Sequence, residues 1–187
     1  MTLLHTERLL LIPVWRELVA TRIEHDDFTL PAPDGTGTVH VGSEWPGDLL
    51  PFFPRLLGGL NDGPFCNYAA VLPGADDDPA EVVGMLGTKG GADERGAVEI
   101  GYGFNASFEG RGYATEAVGA LVRSLLNLPE VRTLTAETAA GNFASQRVLE
   151  KNGFVRRGVG WNDDDGDLVL WATPGEPTHV DPSPTIR

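Results

Sequence analysis

The 187-residue chain carries 27 acidic and 14 basic residues, a net charge of −13, and a single cysteine, Cys66. One cysteine excludes an intramolecular disulfide and a cysteine-based metal cluster and suits a reducing cytoplasm, while the acidic balance argues against nucleic acid and anionic membranes, which call for a basic face. The longest apolar run, Leu9 to Trp15, is interrupted by Pro13, falls far short of the ~20 residues that cross a bilayer, and follows Glu7 and Arg8, unlike a signal peptide.

This length suits one domain, expected over residues 1–173, with a proline-punctuated tail at 174–187 that should fray. Thr6 to Val14 reads as a buried strand. Trp15, Leu18, Val19, Arg22 and Ile23 then recur at helical spacing, in a helix ending near Asp26. Residues 28–61 carry Pro31, Pro33, Pro46, Pro51 and Pro54 and read as an irregular functional loop, with a short broken helix between Leu49 and Leu60. Strands follow at Cys66 to Leu72, Val82 to Lys89 and Ala97 to Phe104, an antiparallel meander. Ala114, Ala117, Val118, Leu121, Val122 and Leu125 mark one face of a helix over Tyr113 to Asn127. Val131 to Thr138 alternates as a strand, with Leu134 and Ala136 on one face and Thr133, Thr135 and Glu137 on the other. Asn142 is placed to cap a second helix, Phe143 to Lys151, which Gly153 ends. A hairpin over Phe154 to Val159 and Asp167 to Ala172 closes the domain. The fold class is therefore α/β (α+β), a mixed and mainly antiparallel sheet flanked by helices.

The segment Glu99 to Gly153 carries the chemistry. The strand EIGYGF runs through the loop NASFEGRG directly into the helix YATEAVGAL. The first N–H groups of a helix lack internal partners and sit at the positive end of its dipole. Gly110 and Gly112 let a ligand approach the backbone and Arg111 adds a full charge, so a phosphate or pyrophosphate suits this turn. Gly101, Gly103 and Ala106 approach the dinucleotide-binding spacing, but the helix starts about six residues too late for it. The P-loop triplet Gly-Lys-Ser/Thr is absent.

Two joined motifs, Glu109-Gly-Arg-Gly112-Tyr-Ala114 and Asn142 and Ser145 followed by Gly153-Phe154, resemble those of the GNAT N-acetyltransferases, most closely the ribosomal-protein N-acetyltransferase-like (Rim-type) branch. The opening TERLLLIPV is similar to that family's first strand. The resemblance implies a splayed strand pair that holds acetyl-CoA as acetyl-donor substrate, with no metal. In this reading the backbone of Tyr102, Gly103 and Phe104 pairs with pantetheine. Glu109, Gly110, Arg111, Gly112, Tyr113 and Ala114 hold the pyrophosphate. Asn142 and Ser145 line the thiol end, and Ser145 protonates the leaving thiolate. Two positions depart from the family: Glu109 stands where Gln or Arg is usual, and Leu149 stands where some members carry a tyrosine acid.

An amine attacks a thioester only when neutral, and an ammonium of pKa ~10 is ~0.1% neutral at pH 7. A base therefore helps. The candidates are Glu99 and Glu137. The resemblance favours Glu137, as does its place on the polar face of its strand; for Glu99 an ion-paired strand residue is an equal reading. The expected acceptor is a small-molecule or peptide amine, cationic if the net charge steers it. Neither nucleic acid nor membrane is an expected partner, and a homodimer stays open. A non-catalytic acyl-CoA-binding module is the alternative, and a nucleotide-binding oxidoreductase domain a third. His5, His25, His40 and His179 show no ligand spacing, and Asp163 to Asp167 reads as a turn and not a calcium loop. Trp15, Trp45, Trp161 and Trp171 read mostly as core or packing residues, with a pocket wall as the alternative for Trp45 and Trp161, which fall in or near loops; Cys66 reads as a buried small hydrophobe.

Overall fold

The computed structural model describes residues 2–35, 37–60, 63–75 and 78–175. The expected tail lies outside these from residue 176 onward, as does His179.

The first strand is shorter than its apolar run. Leu4–His5 (β1) and Leu10–Pro13 (β2) form a hairpin. Between them the Thr6 hydroxyl oxygen accepts the Leu9 N–H and the Thr6 N–H donates to the Leu9 carbonyl, a local turn that competes with extended strand. Helix α1 covers Arg16–Glu24. The segment read as irregular holds two strands, Phe28–Pro31 (β3) and Thr38–Val41 (β4), paired with each other. Prolines at a strand end and in the turn hid them. A 3₁₀ turn at Gly47–Phe52 runs into the short α2, Phe53–Gly58, the expected broken helix. Asn67–Leu72 (β5), Ala80–Thr88 (β6) and Ala97–Phe104 (β7) form the expected meander. Helix α3 is Tyr113–Leu126, β8 is Thr133–Ala139 and α4 is Phe143–Lys151. Val155–Asn162 (β9) and Gly166–Ala172 (β10) close the chain as a hairpin.

The main sheet runs β1-β2-β5-β6-β7-β8-β10-β9, with β4 joined in parallel to the start of β6. It is mixed and mainly antiparallel, as expected. Both faces are covered, so β2 and β5 read as continuous apolar runs. One face packs on α3 and α4 through Leu11, Val98, Ile100, Leu121, Leu134 and Leu149. The other packs on α1, α2 and the β3–β4 hairpin through Ile12, Leu18, Val19, Val41, Trp45 and Phe53. Trp45 is fully buried and donates its ring N–H to the Gly84 carbonyl. Of its two readings the structure takes the core one, and the pocket-wall alternative drops out, because its ring completes this second core. Arg22, on the apolar stripe of α1, is buried too. Its guanidinium bonds the carbonyls of Ser43, Trp45 and His25 and the Asp26 carboxylate, and so fixes the strand-to-helix loop. Cys66 is buried, as expected.

The β3–β4 hairpin is held at its exposed side by His40, whose ring nitrogens lie 2.6 Å from Glu81 and 3.1 Å from Asp27. The Glu81 hydrogen bond raises the imidazole pKa; burial opposes this and Asp27 adds to it. The folded state therefore holds this proton more tightly than the unfolded chain. The stabilisation is complete below the ordinary value of ~6.5 and is lost as pH rises through the folded value. Urea unfolding between about pH 6 and 8.5 should show wild type losing stability relative to His40→Ala, by under about 1 kcal/mol for so open a pair. Parallel profiles for the two proteins would refute the clamp.

Candidate active site

Strands β7 and β8 run parallel for only three register pairs, Ala97–Thr133, Val98–Leu134 and Glu99–Thr135. Beyond Glu99, β7 stays with β6 as far as Phe104, while β8 stays with β10 as far as Ala139. The two strands thus diverge into a V, as the sequence motifs imply, with β8 reaching one residue past Thr138. Lys89 N–H bonds the Glu99 carbonyl and Asn105 N–H bonds the Val83 carbonyl, both towards β6. Strand alternation turns the intervening backbone groups of Tyr102 and Phe104 the other way, into the gap.

Two cavities meet at this gap, sharing Tyr102, Gly103, Phe104 and Ser145. One, of about 290 Å³, lies on the α3–α4 face against Phe108, Glu109, Gly110, Gly112, Tyr113 and Ala114. Its far wall carries Arg147 and Lys151, one helical turn apart on α4. The sequence reading missed both cations, although the i, i+4 spacing on a helix beside the glycine loop was there to be read. The other cavity, of about 500 Å³, opens on the opposite face. Glu44, Asp48, Glu137 and Asp165 line it, with Lys89 as a countercharge. A Cβ built at Gly103 would meet nothing within 4 Å, so packing does not demand glycine there; its absence of a side chain keeps the junction open.

The glycine loop has the backbone such a turn needs. Gly110 and Gly112 sit at φ +73° and +82°, conformations other residues adopt at a cost of roughly 1–2 kcal/mol. Gly112 is the N-cap of α3. Arg111 stacks over the Phe108 ring at 5.3 Å. Glu109 is exposed. On α4, Asn142 Oδ1 accepts the Ser145 N–H at 3.0 Å, the expected cap, and Asn142 borders the larger cavity. The Ser145 carbonyl accepts the Tyr102 hydroxyl at 2.9 Å, tying α4 to β7 across the gap. Burial drives the Tyr102 phenol far above its usual pKa, against the opposing effect of the Ser145 side chain, so it stays protonated. Leu149 is fully buried.

The two carboxylate candidates are neighbours on one face, since Glu99 pairs in register with Thr135 and Glu137 follows two residues on. Their environments differ. Glu99 forms an ion pair with Lys89. Glu137 makes no hydrogen bond or ion pair among the described residues. Burial first, then the Glu99 charge, raise its pKa; Lys89 opposes them and Asp165 adds to the rise. Glu44, in contrast, is held below the usual range by the Ser107 hydroxyl and N–H. Trp161 is 61% exposed on β9 and forms no part of either cavity wall. Asp163 to Asp165 form the β9–β10 turn, with Asn162 Oδ1 accepting the Asp165 N–H. No metal-binding group of three or more His, Cys, Asp or Glu occurs among the described residues, and no helix among them is long and apolar enough to cross a membrane.

A splayed strand pair above a glycine-rich helix start, with a cavity on each face, is the architecture of an acyl-CoA-dependent transferase. Residues 52–155 match the acetyltransferase (GNAT) domain family, and the chain belongs to it: it is an acetyl-CoA-dependent N-acetyltransferase. YjdG of Bacillus subtilis (strain 168), an N-acetyltransferase by name, is 33% identical over 120 residues, which cover 62% of this chain and 69% of that one. The ribosomal-protein alpha-N-acetyltransferase RimL in complex with coenzyme A superposes with a TM-score of 0.65 at 17% identity, over 91% of this chain and 97% of that one. AAC(6')-Ib in complex with paromomycin and acetyl-CoA gives 0.60 at 22% identity, over 89% and 93%.

Gly112→Val adds a branched side chain at a left-handed φ, with its Cβ about 3.4 Å from the Arg8 guanidinium. Calorimetry should show CoA affinity reduced by at least about tenfold, with circular dichroism unchanged. Unchanged affinity would remove this loop from the donor site.

Proposed function

We propose that acetyl-CoA occupies the α3–α4 side of the V and that a cationic primary amine enters from the opposite cavity. The observation that carries this reading is the meeting of a cation-walled and a carboxylate-lined cavity at Tyr102, Gly103, Phe104 and Ser145. The backbone of Tyr102 and Phe104 pairs with the pantetheine arm as an added strand, and one of its N–H groups faces the thioester oxygen. Glu109 to Ala114 cradle the pyrophosphate, with Arg111, Arg147 and Lys151 as countercharges. The exposed Glu109 leaves the cradling to backbone N–H groups. Residues 1–173 form the catalytic domain.

In the reaction the amine nitrogen forms a bond to the thioester carbonyl carbon, and the carbon–sulfur bond breaks. The nitrogen's proton passes to Glu137, directly or through one water. The thiolate takes a proton from the Ser145 hydroxyl, which stands beside the Tyr102 phenol at the junction of the two cavities. Glu137 suits the base because its pKa is raised towards the working pH and no partner holds it. Glu99, paired with Lys89, acts through its charge, helping to keep Glu137 basic.

Glu137→Gln keeps shape and removes basicity, so kcat should fall by roughly 10²–10⁴-fold with CoA affinity intact. In wild type, activity should fall as pH drops through a value above the usual carboxylate range, and that limb should vanish in Glu137→Gln. Normal turnover of Glu137→Gln beside a crippled Glu99→Gln would reverse the assignment.

The acceptor's charge follows from Glu44, Asp48, Glu137 and Asp165 around one Lys89, in a chain of net charge −13. The AAC(6')-Ib complex carries an aminoglycoside, a ligand of the same chemical class. With a polyamine or aminoglycoside as acceptor, kcat/KM should fall as salt shortens screening to ~8 Å near physiological strength. A salt-independent rate with a neutral amine as the best acceptor would dispose of this class.

A further inference from the structure

The start of α3 carries a carboxylate in the wrong place. Glu116 lies in the helix's first turn, on the element whose N-terminus is proposed to meet pyrophosphate. An anion there competes with a bound phosphate for the same partial positive charge. Its charge is fully engaged from elsewhere in the chain. Arg8 donates its Nε–H to Oε2 and its backbone N–H to Oε1, each at 2.7 Å, and its Nη2 lies 2.7 Å from Oε2 in an ion pair. The Thr6 hydroxyl donates to the same Oε1 at 2.5 Å. Three hydrogen bonds and an ion pair thus engage one carboxylate. Burial works against ionisation, yet these bonds outweigh it and hold the Glu116 pKa below the usual range. The same guanidinium donates Nη1–H to the Arg111 carbonyl at 2.9 Å and lies 4.6 Å from the Tyr113 ring centre.

We infer that Arg8 is a positioning residue of the donor site: it neutralises Glu116 and anchors the Arg111 carbonyl on the protein side. The N–H groups of the Gly110–Ala114 turn are thereby left facing the anion. This rests on the reading that the turn holds pyrophosphate. The contact closes a loop of more than a hundred residues between the N-terminal hairpin and the donor cradle.

The test compares Arg8→Ala, Arg8→Lys, Glu116→Gln and the double variant Arg8→Ala/Glu116→Gln. It measures CoA binding by calorimetry, KM for acetyl-CoA, kcat and thermal unfolding. Arg8→Ala should raise the CoA dissociation constant and the KM for acetyl-CoA about tenfold, with kcat within about twofold. Arg8→Lys, which keeps the charge and loses the fork, should fall between it and wild type. Glu116→Gln in the Arg8→Ala background should recover most of the affinity, because it removes the exposed charge. A structural role alone would lower kcat and stability together with no rescue by Glu116→Gln, and that outcome overturns the inference. If Arg8→Ala does not fold, Arg8→Lys carries the test: unchanged CoA affinity there refutes it. Gly112→Val separates the two levels. If it weakens CoA and Arg8→Ala does not, this inference fails alone; if neither matters, the loop assignment itself is wrong.

Discussion

Everything at the site depends on one early ending, the parting of β7 from β8 after three parallel pairs. A sheet normally satisfies every backbone donor and acceptor within its ladder. Here each strand keeps its outer neighbour and loses its inner one, so polar backbone faces an opening through the middle of the molecule. The opening can persist because one core holds both halves of the sheet from the helical face. Val98 and Ile100 of β7 and Leu134 and Ala136 of β8 pack in a single cluster with Leu121 and Leu149, while Trp45 supports β6 from the other face. The Tyr102–Ser145 hydrogen bond then sets how far α4 stands from β7. Glycine at 103 leaves the junction clear, and a side chain there would fill the opening without touching protein.

The division of charge follows the division of space. On the helical face, backbone N–H groups at the start of α3 stand with Arg147 and Lys151. On the opposite face the charged side chains are mostly carboxylates. In the proposed arrangement a donor with several phosphates and a cationic acceptor each find complementary potential, and each is repelled by the other's cavity. The same crowding of carboxylates makes one of them basic. Glu137 sits near Glu99 and Asp165, and its charged form is disfavoured by burial and by both neighbours. Lys89 is bound to Glu99 and offsets only part of this.

Local signals made the second half of the chain legible. Helix α4 matches its expected bounds of Phe143–Lys151, and strand β7 its expected Ala97–Phe104, because cap, periodicity and alternation all agree there. Helix α3 is one residue shorter than expected. Glu109, Gly110, Gly112, Tyr113, Ala114 and Ser145 of the two motifs come together around the smaller cavity. The opposite cavity stayed dark for a physical reason. Its lining residues Glu44, Asp48 and Leu49 lie in irregular backbone whose shape is imposed from a distance, through the Arg22 guanidinium on Ser43 and Trp45 carbonyls. No periodicity announces a loop held by a buried arginine. Strands β3 and β4 are four residues each, too short to alternate visibly. The Arg8–Glu116 pair was hidden in another way: both residues were in plain view, but only the folded chain brings them together.

Leaving-group protonation shows how burial apportions roles among neighbouring hydroxyls. Leu149 contributes no polar atom and is sealed in the core under α4. The Tyr102 phenol borders both cavities, and burial raises its pKa. Its hydrogen is moreover directed at the Ser145 carbonyl. The phenol thus serves as a crossbar. Ser145 also begins with a weakly acidic hydroxyl, but its situation differs. Its N–H and carbonyl are both fixed, by Asn142 and Tyr102, and this holds its hydroxyl beside the Tyr102 phenol at the junction of the cavities. A hydroxyl so placed meets the developing charge on sulfur by hydrogen bonding, and a proton from solvent can replace the one it gives. In the proposed reaction the serine that the motif picks out takes the acid's place, while the more conspicuous tyrosine beside it fits the frame.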